Sequence, residues 1–262
     1  MEELIRRWTL ASTLALTVWA LCAAYLWVAG SPLLALSWGV PALAALSILL
    51  AFVRTSLHLN RRAREQDILQ HLGGANLLTL GRGGATAALA GFLLPTSPLP
   101  WQTWLAPGLF LFVALGDILD GHWARKTGRE TLLGRRLDGL VDALVILVAA
   151  AVAVKWGRLP PWFLTLGVAP YLFGLAVALR RYLGKASHPL PHRLSRRLAG
   201  ALVYGFVALA LSPLVSRESL SLAAVPVAIV VATSFLADWS VVVGRSPAVG
   251  SKPVWREGAL PR

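Results

Sequence analysis

The chain has 262 residues, of which 56% are hydrophobic and only 14% charged, with a formal net charge of +13. Soluble domains carry about 25% charged residues, so this composition, with a mean hydropathy of +0.65, excludes an ordinary water-soluble globule and points to a bilayer. The positive charge sits in loops without interleaved base-stacking aromatics, so no nucleic-acid partner is expected.

Eight apolar segments of helix length run along the chain, roughly at 8–29, 33–53, 76–94, 103–122, 137–155, 161–179, 198–215 and 220–243. Each is near the ~20 residues that a spanning helix needs. Lipid requires every backbone group to be satisfied within the segment. The expected fold class is therefore an all-α polytopic membrane protein with about eight transmembrane helices. The first segment, "TLASTLALTVWALCAAYLWVAG", exceeds the roughly 7–15 residue core of a cleaved signal. A second apolar segment follows at once, so a retained anchor is expected. Cys22, the sole cysteine, lies here, which excludes an intrachain disulfide and a Cys/His metal site.

Residues 1–56 read as an N-terminal transmembrane hairpin. The polar stretch 57–74 follows, with Ile68, Leu69 and Leu72 on one helical face. An interfacial helix on the cytoplasmic surface and a solvated linker helix both fit that pattern. Six segments over 75–244 form the expected core, and the tail 245–262 reads as disordered. In "ANLLTLGRGG" Asn76 is placed to cap the first core helix. Arg82 lies one turn beyond Thr79, where anchoring a phosphate and snorkelling to the interface both fit.

The loops alternate in character. "PTSPLPWQ" and "KWGRLPPW" are short and rich in Pro and Trp, whereas "HWARKTGRETLLGRR" and "RRYLGKASHPLPHRLSRR" are basic. With a cytoplasmic N-terminus, only Lys155, Arg158 and Arg217 fall in outer loops. That bias places both termini in the cytoplasm and draws anionic membrane lipids to the inner face. Trp101, Trp104, Trp156 and Trp162 read as interface anchors. No internal repeat suggests a duplicated transporter.

Four of the six aspartates crowd into residues 117–142, "DILDGHWARKTGRETLLGRRLDGLVD". Asp117 and Asp120 are three apart on one helix end, and Asp138 and Asp142 are four apart at the start of the next, so each pair shares a face. The short connection predicts antiparallel neighbours with four carboxylates across one groove. Charge at membrane depth is expensive and usually functional. All-oxygen ligation suits the hard cations Mg²⁺ or Mn²⁺, and two such ions would clamp a phosphate-bearing substrate. Gly121, Gly134 and Gly139 leave room for close approach, and Arg125 stands one turn beyond Asp120, placed for a phosphate oxygen. A salt-bridge network with Arg125, Arg129, Arg135 and Arg136 is the alternative use of these acids.

The pattern Asp120-Gly121-x2-Ala124-Arg125-x8-Gly134-x3-Asp138-x3-Asp142 resembles the signature of the CDP-alcohol phosphotransferases at every fixed position, and Asp117 matches the family's additional upstream aspartate. The resemblance covers residues 76 to 244 and implies a six-helix core of that type behind the hairpin. It implies a membrane phospholipid-synthesis enzyme that moves a phosphoalcohol from a CDP-alcohol donor to a hydroxyl acceptor and releases CMP. By this resemblance Asp117, Asp120 and Asp138 hold two divalent ions, and Asp142 is the general base that also touches the second ion. Gly121, Ala124 and Arg125 contact the CDP portion, as do Asn76, Thr79 and Thr131. A homodimer is implied on the same ground.

The donor expected is CDP-diacylglycerol, because its tails need a groove open to the bilayer. Glycerol 3-phosphate or an inositol phosphate is the favoured type of acceptor. The basic residues of 180–197 fit either an acceptor-phosphate pocket or ordinary positive-inside bias. Asp238 would line the groove or pair with Arg245 or an inner-loop arginine. His122, His188 and His192 carry no assigned role. In a second reading a soluble CDP-alcohol, of the CDP-choline or CDP-ethanolamine type, donates to a lipid alcohol. A cation transporter would spread its acids through the bilayer midplane, whereas these gather at one end.

Overall fold

The computed structural model describes residues 1–62, 67–94, 102–127, 131–188, 190 and 194–244, with 102, 118–127, 194 and 195 described through the backbone only. Among them are eight α-helices: α1 (Glu2–Ala29), α2 (Pro32–Ser56), α3 (Gly73–Ala90), α4 (Gln102–Thr127), α5 (Leu132–Lys155), α6 (Leu164–Tyr182), α7 (Leu194–Leu211) and α8 (Arg217–Val243). They match the eight apolar segments in order, and the protein is an all-α, multi-pass membrane protein.

Local chemistry sets several ends. Ser31, Thr131 and Ser216 cap α2, α5 and α8, each accepting a backbone N–H through its hydroxyl, which satisfies one orphan donor per helix. Pro32 stands at the start of α2, where its missing N–H costs nothing. Gly244 ends α8 in the left-handed conformation, φ 81°. Arg158 donates to the carbonyls of Ala210, Ser212 and Val215. It thereby satisfies acceptors at the buried C-terminal end of α7.

Five helices are long and apolar enough, by length and composition, to cross a membrane: those spanning Glu2–Ala29, Pro32–Leu59, Leu132–Lys155, Pro161–Tyr182 and Arg217–Val243. The remaining three are α3, α4 and α7, and they carry Asn76, Thr79, Arg82, Asp117 and Arg196. In α4 the stretch Thr103–Asp117 is itself apolar, though shorter than a full span. Leu10, Leu14, Leu21, Leu172, Leu175, Leu222, Ile229 and Leu236 are exposed, as lipid-facing residues should be.

Helix α3 is the centre of the bundle, packed against α2, α4 and α5, while α5 also meets α6 and α7. Both α4 and α5 lean on α3 more than on each other among the described residues, and carboxylates of the two face one another as the spacing predicts. The hairpin docks through α2. Leu49 fills the space over Gly83, and Trp38 fills the hollow at Gly91, where a Cβ would stand 2.3 Å from its Nε1. The same indole N–H donates to the Ala88 carbonyl at 3.2 Å.

Of the stretch 57–74, expected as a helix, residues 60–62 and 67–72 are not helical; Leu57–Leu59 form a single 3₁₀ turn, and Gly73 and Gly74 already belong to α3. The cause is Asn60. Its amide donates to the carbonyls of Leu69 and His71, and its own carbonyl accepts from Leu69 N–H. These bonds close a loop and compete with the helical ladder. Leu132 N–H then donates to the Arg61 carbonyl, which ties the strap to the start of α5. Residues 95–101 and the tail 245–262 lie outside the described residues.

Because Trp38 leaves no room at Gly91, Gly91→Val should cost about 1–3 kcal/mol of stability, as overpacking does. Thermal unfolding in detergent checks this. In a Trp38→Ala background the same substitution should cost much less; an equal loss in both backgrounds would refute the docking.

Candidate active site

One face of α3 is polar and buried. Asn76, Thr79, Arg82 and Thr86 recur every three to four residues and are 6%, 4%, 0% and 4% exposed. Helical periodicity therefore aims all of them into the bundle. Asn76 is not the helix cap, because Gly73, with φ 72°, turns the chain and starts α3 one turn earlier. Its amide Nδ2 instead donates to Asn60 Oδ1 and to Thr131 Oγ1, each at 3.2 Å. Thr131 accepts that bond with the same hydroxyl that caps α5 through Gly134 N–H, 2.9 Å away. A Cβ on Gly134 would lie 2.4 Å from Asn76 Oδ1, so this glycine serves the approach of α3 to α5. Thr79 directs its hydroxyl to the Ala75 carbonyl of its own helix. Gly139 faces open space.

Three of the four aspartates come together. Oxygens of Asp117 on α4 and of Asp138 and Asp142 on α5 lie within 4.8 Å of one another. Asp120, Gly121, Ala124 and Arg125 fall on the last turns of α4, and their side chains lie outside the described residues. Among the described side chains, an arginine from outside both basic loops stands at the cluster. Arg82 reaches it from α3, with Nη1 2.7 Å from Asp138 Oδ1 and Nη2 2.5 Å from Asp142 Oδ1 and 3.2 Å from Asp117 Oδ1. Its Nε donates to the Val113 carbonyl at 3.1 Å. Arg82 is fully buried, whereas the three carboxylate side chains are 42%, 39% and 37% exposed. The cluster thus has a guanidinium floor and an open mouth.

Sequence reasoning left the role of Arg82 open between phosphate anchor and snorkel, and it missed Gly116. A Cβ there would lie 2.9 Å from Arg82 Cδ and 3.0 Å from Cγ. The signal was a glycine beside an aspartate on a buried face, one turn from the arginine's carbonyl acceptor. Asp238, buried on α8, pairs with Arg196 in the first turn of α7 at 2.9 Å and 3.2 Å. At the end of α6 Arg180 donates to the Ala186 carbonyl, and in the connection that follows His188 N–H donates to the Val242 carbonyl. Arg181, Lys185 and Arg197 remain exposed, while His192 and Arg193 lie outside the described side chains.

The donor set fits a hard divalent cation. It consists of carboxylate oxygens alone, their separation is close to that across a coordination shell with 2.0–2.6 Å bonds, and a cationic group already binds the same oxygens. Residues 72–239 match the family model described as CDP-alcohol phosphatidyltransferase. The chain belongs to this family.

Curated relatives agree over shorter stretches. A CDP-diacylglycerol--glycerol-3-phosphate 3-phosphatidyltransferase of Cereibacter sphaeroides is 35% identical over 91 residues, 34% of this chain and 41% of that protein. A cardiolipin synthase (CMP-forming) of Oryza sativa subsp. japonica is 34% identical over 95 residues, 34% of this chain and 28% of that protein. A second CDP-diacylglycerol--glycerol-3-phosphate 3-phosphatidyltransferase, from Bacillus subtilis, is 35% identical over 54 residues, 21% of this chain and 28% of that protein. The chain thus spans less than half the length of these relatives. No solved structure matches it.

Thr131 holds two partners at once, so Thr131→Val removes both a helix cap and the acceptor for Asn76. The expected loss is about 1–2 kcal/mol, read as a lower midpoint in thermal unfolding. An unchanged midpoint would show that the junction does not hold α3 to α5.

Proposed function

We propose that this protein transfers a phosphatidyl group from CDP-diacylglycerol to a hydroxyl acceptor, with release of CMP. The observation that carries the reading is the cluster of Asp117, Asp138 and Asp142, open on one side, on residues of the family's signature. Glycerol 3-phosphate is the acceptor favoured, since two of the relatives above carry it in their names. Asp117, Asp120, Asp138 and Asp142 would hold two divalent ions, Mg²⁺ or Mn²⁺. Bound there, such ions would offset charge on the pyrophosphate of the donor.

The residues of the chain supply the rest. The acceptor hydroxyl is a weak nucleophile and needs a carboxylate within hydrogen-bond reach. Asp142 suits that role, because Arg82 occupies its Oδ1 and Oδ2 remains to take the proton. The acceptor oxygen bonds to the β-phosphorus, the bond from that phosphorus to the bridging oxygen breaks, and CMP leaves with the electron pair. Gly121, Ala124 and Arg125 would contact the CDP moiety with Asn76, Thr79 and Thr131. The last three sit where α3 meets α5, at the same end of the bundle as the carboxylates.

Both termini and the site would face the cytoplasm, consistent with the basic inner loops. Residues 1–56 would form an anchoring hairpin, 57–74 a cytoplasmic connector, 75–244 the catalytic core and 245–262 a tail. The exposed residues Arg181, Lys185 and Arg197 would meet the phosphate of the acceptor, with Arg196 held in place by Asp238. A homodimer belongs to the same reading and is checked by light scattering of the detergent-solubilised protein.

Purified protein with Mg²⁺ or Mn²⁺ should release CMP from CDP-diacylglycerol when given glycerol 3-phosphate, and chelation should stop it. Asp142→Asn should lower turnover by at least about 100-fold, the scale of general-base catalysis. Normal turnover in that variant would sink the base assignment. CMP released only from CDP-choline or CDP-ethanolamine with a lipid alcohol would reverse the substrate roles. An inositol phosphate accepted in place of glycerol 3-phosphate would reassign the acceptor.

A further inference from the structure

We infer that Arg82 is a built-in counter-cation: it holds Asp117, Asp138 and Asp142 in their binding arrangement while the site is empty of metal, and it competes with a divalent ion for the same oxygens. The inference rests on the metal-binding part of the proposed function and adds to it a residue outside the aspartate signature.

Its ground is geometric. Carboxylate oxygens within 4.8 Å of one another at membrane depth repel strongly unless a cation stands among them. Arg82 meets all three carboxylates with two terminal nitrogens. A planar guanidinium can do this as a fork, and a lysine ammonium cannot reproduce that geometry. The side chain has little freedom to be elsewhere. It is fully buried, its Nε is bonded to the Val113 carbonyl, and its methylenes lie over Gly116, where any Cβ would intrude. The stem is thus fixed by α4 while the terminal nitrogens join α4 to α5. The carboxylates are partly exposed whereas the arginine is fully buried, so an ion can reach them from the exposed side. Once there, it shares oxygens with a positive charge that is already bonded to them. Arg82 accordingly acts as a positioning residue: it assembles the site, and it weakens the grip on metal that three unneutralised carboxylates would have.

The test uses the full chain in detergent, stripped of metal, as wild type, Arg82→Lys and Arg82→Met. Thermal unfolding is followed with and without saturating Mn²⁺, and Mn²⁺ affinity is read from the electron paramagnetic resonance signal of the free ion. In Arg82→Met the midpoint should fall sharply without metal, and Mn²⁺ should restore most of the loss. Mn²⁺ should also bind about tenfold more tightly than to wild type, the order expected from removing one neighbouring charge. Arg82→Lys keeps the charge but not the fork, and it should be intermediate in both measurements. Gly116→Ala provides a second route if Arg82→Met does not fold. It displaces the guanidinium without removing it and should shift Mn²⁺ affinity in the same direction.

A loss of stability that Mn²⁺ does not reduce, or an affinity that stays equal or weakens, would overturn the inference. A wild type that binds no Mn²⁺ would refute the metal reading and the competition together. In that case the metal-free unfolding of the Arg82 variants still decides whether the arginine assembles the cluster.

Discussion

Everything near the site depends on how three like charges are tolerated at the end of a helical bundle. Lipid penalises charge, and close carboxylates penalise one another. The chain answers both with one buried arginine on the helix that packs against the other two. This explains why α3, one of the less apolar helices, is the central one. The charged ends of α4 and α5 are joined through this third helix by Arg82.

The polar face of α3 works as a ladder. At its lower rung Asn76 joins the strap at Asn60 and the cap of α5 at Thr131. Two turns further Arg82 joins α4 and α5. Buried polar groups are costly when unsatisfied, so these partners fix both the rotation and the depth of α3 against its neighbours. The buried guanidinium is thus held by contacts between helices, while the three carboxylates stay partly exposed.

Much of this was legible in the sequence. Apolar segment length locates the helices because lipid leaves few alternatives. The aspartate spacing locates the cluster because helical faces repeat every three to four residues. Three features were not legible, each for a physical reason. The stretch 57–74 has the apolar spacing of an amphipathic helix at Ile68, Leu69 and Leu72, but the Asn60 amide takes the Leu69 and His71 carbonyls and overrides that periodicity. Asn76 has the chemistry of a cap, yet Gly73 begins the helix one turn early. The partners of Arg82 lie 31 to 60 residues away, and its path depends on an absent Cβ at Gly116. Nothing local in the sequence encodes that route.

The hairpin stands outside the stretch that matches the family, yet Leu49 of α2 touches Gly83, the residue next to Arg82. It packs against the helix that carries the arginine. In thermodynamic language α2 is a tethered ligand of the core: its binding is intramolecular, so a modest packing energy at Leu49 and Trp38 is multiplied by a high effective concentration. The core is therefore stabilised by a segment it never has to find by diffusion. An isolated stretch of 72–239 would have to recover that support from lipid, which has no shape to match Gly83 or Gly91.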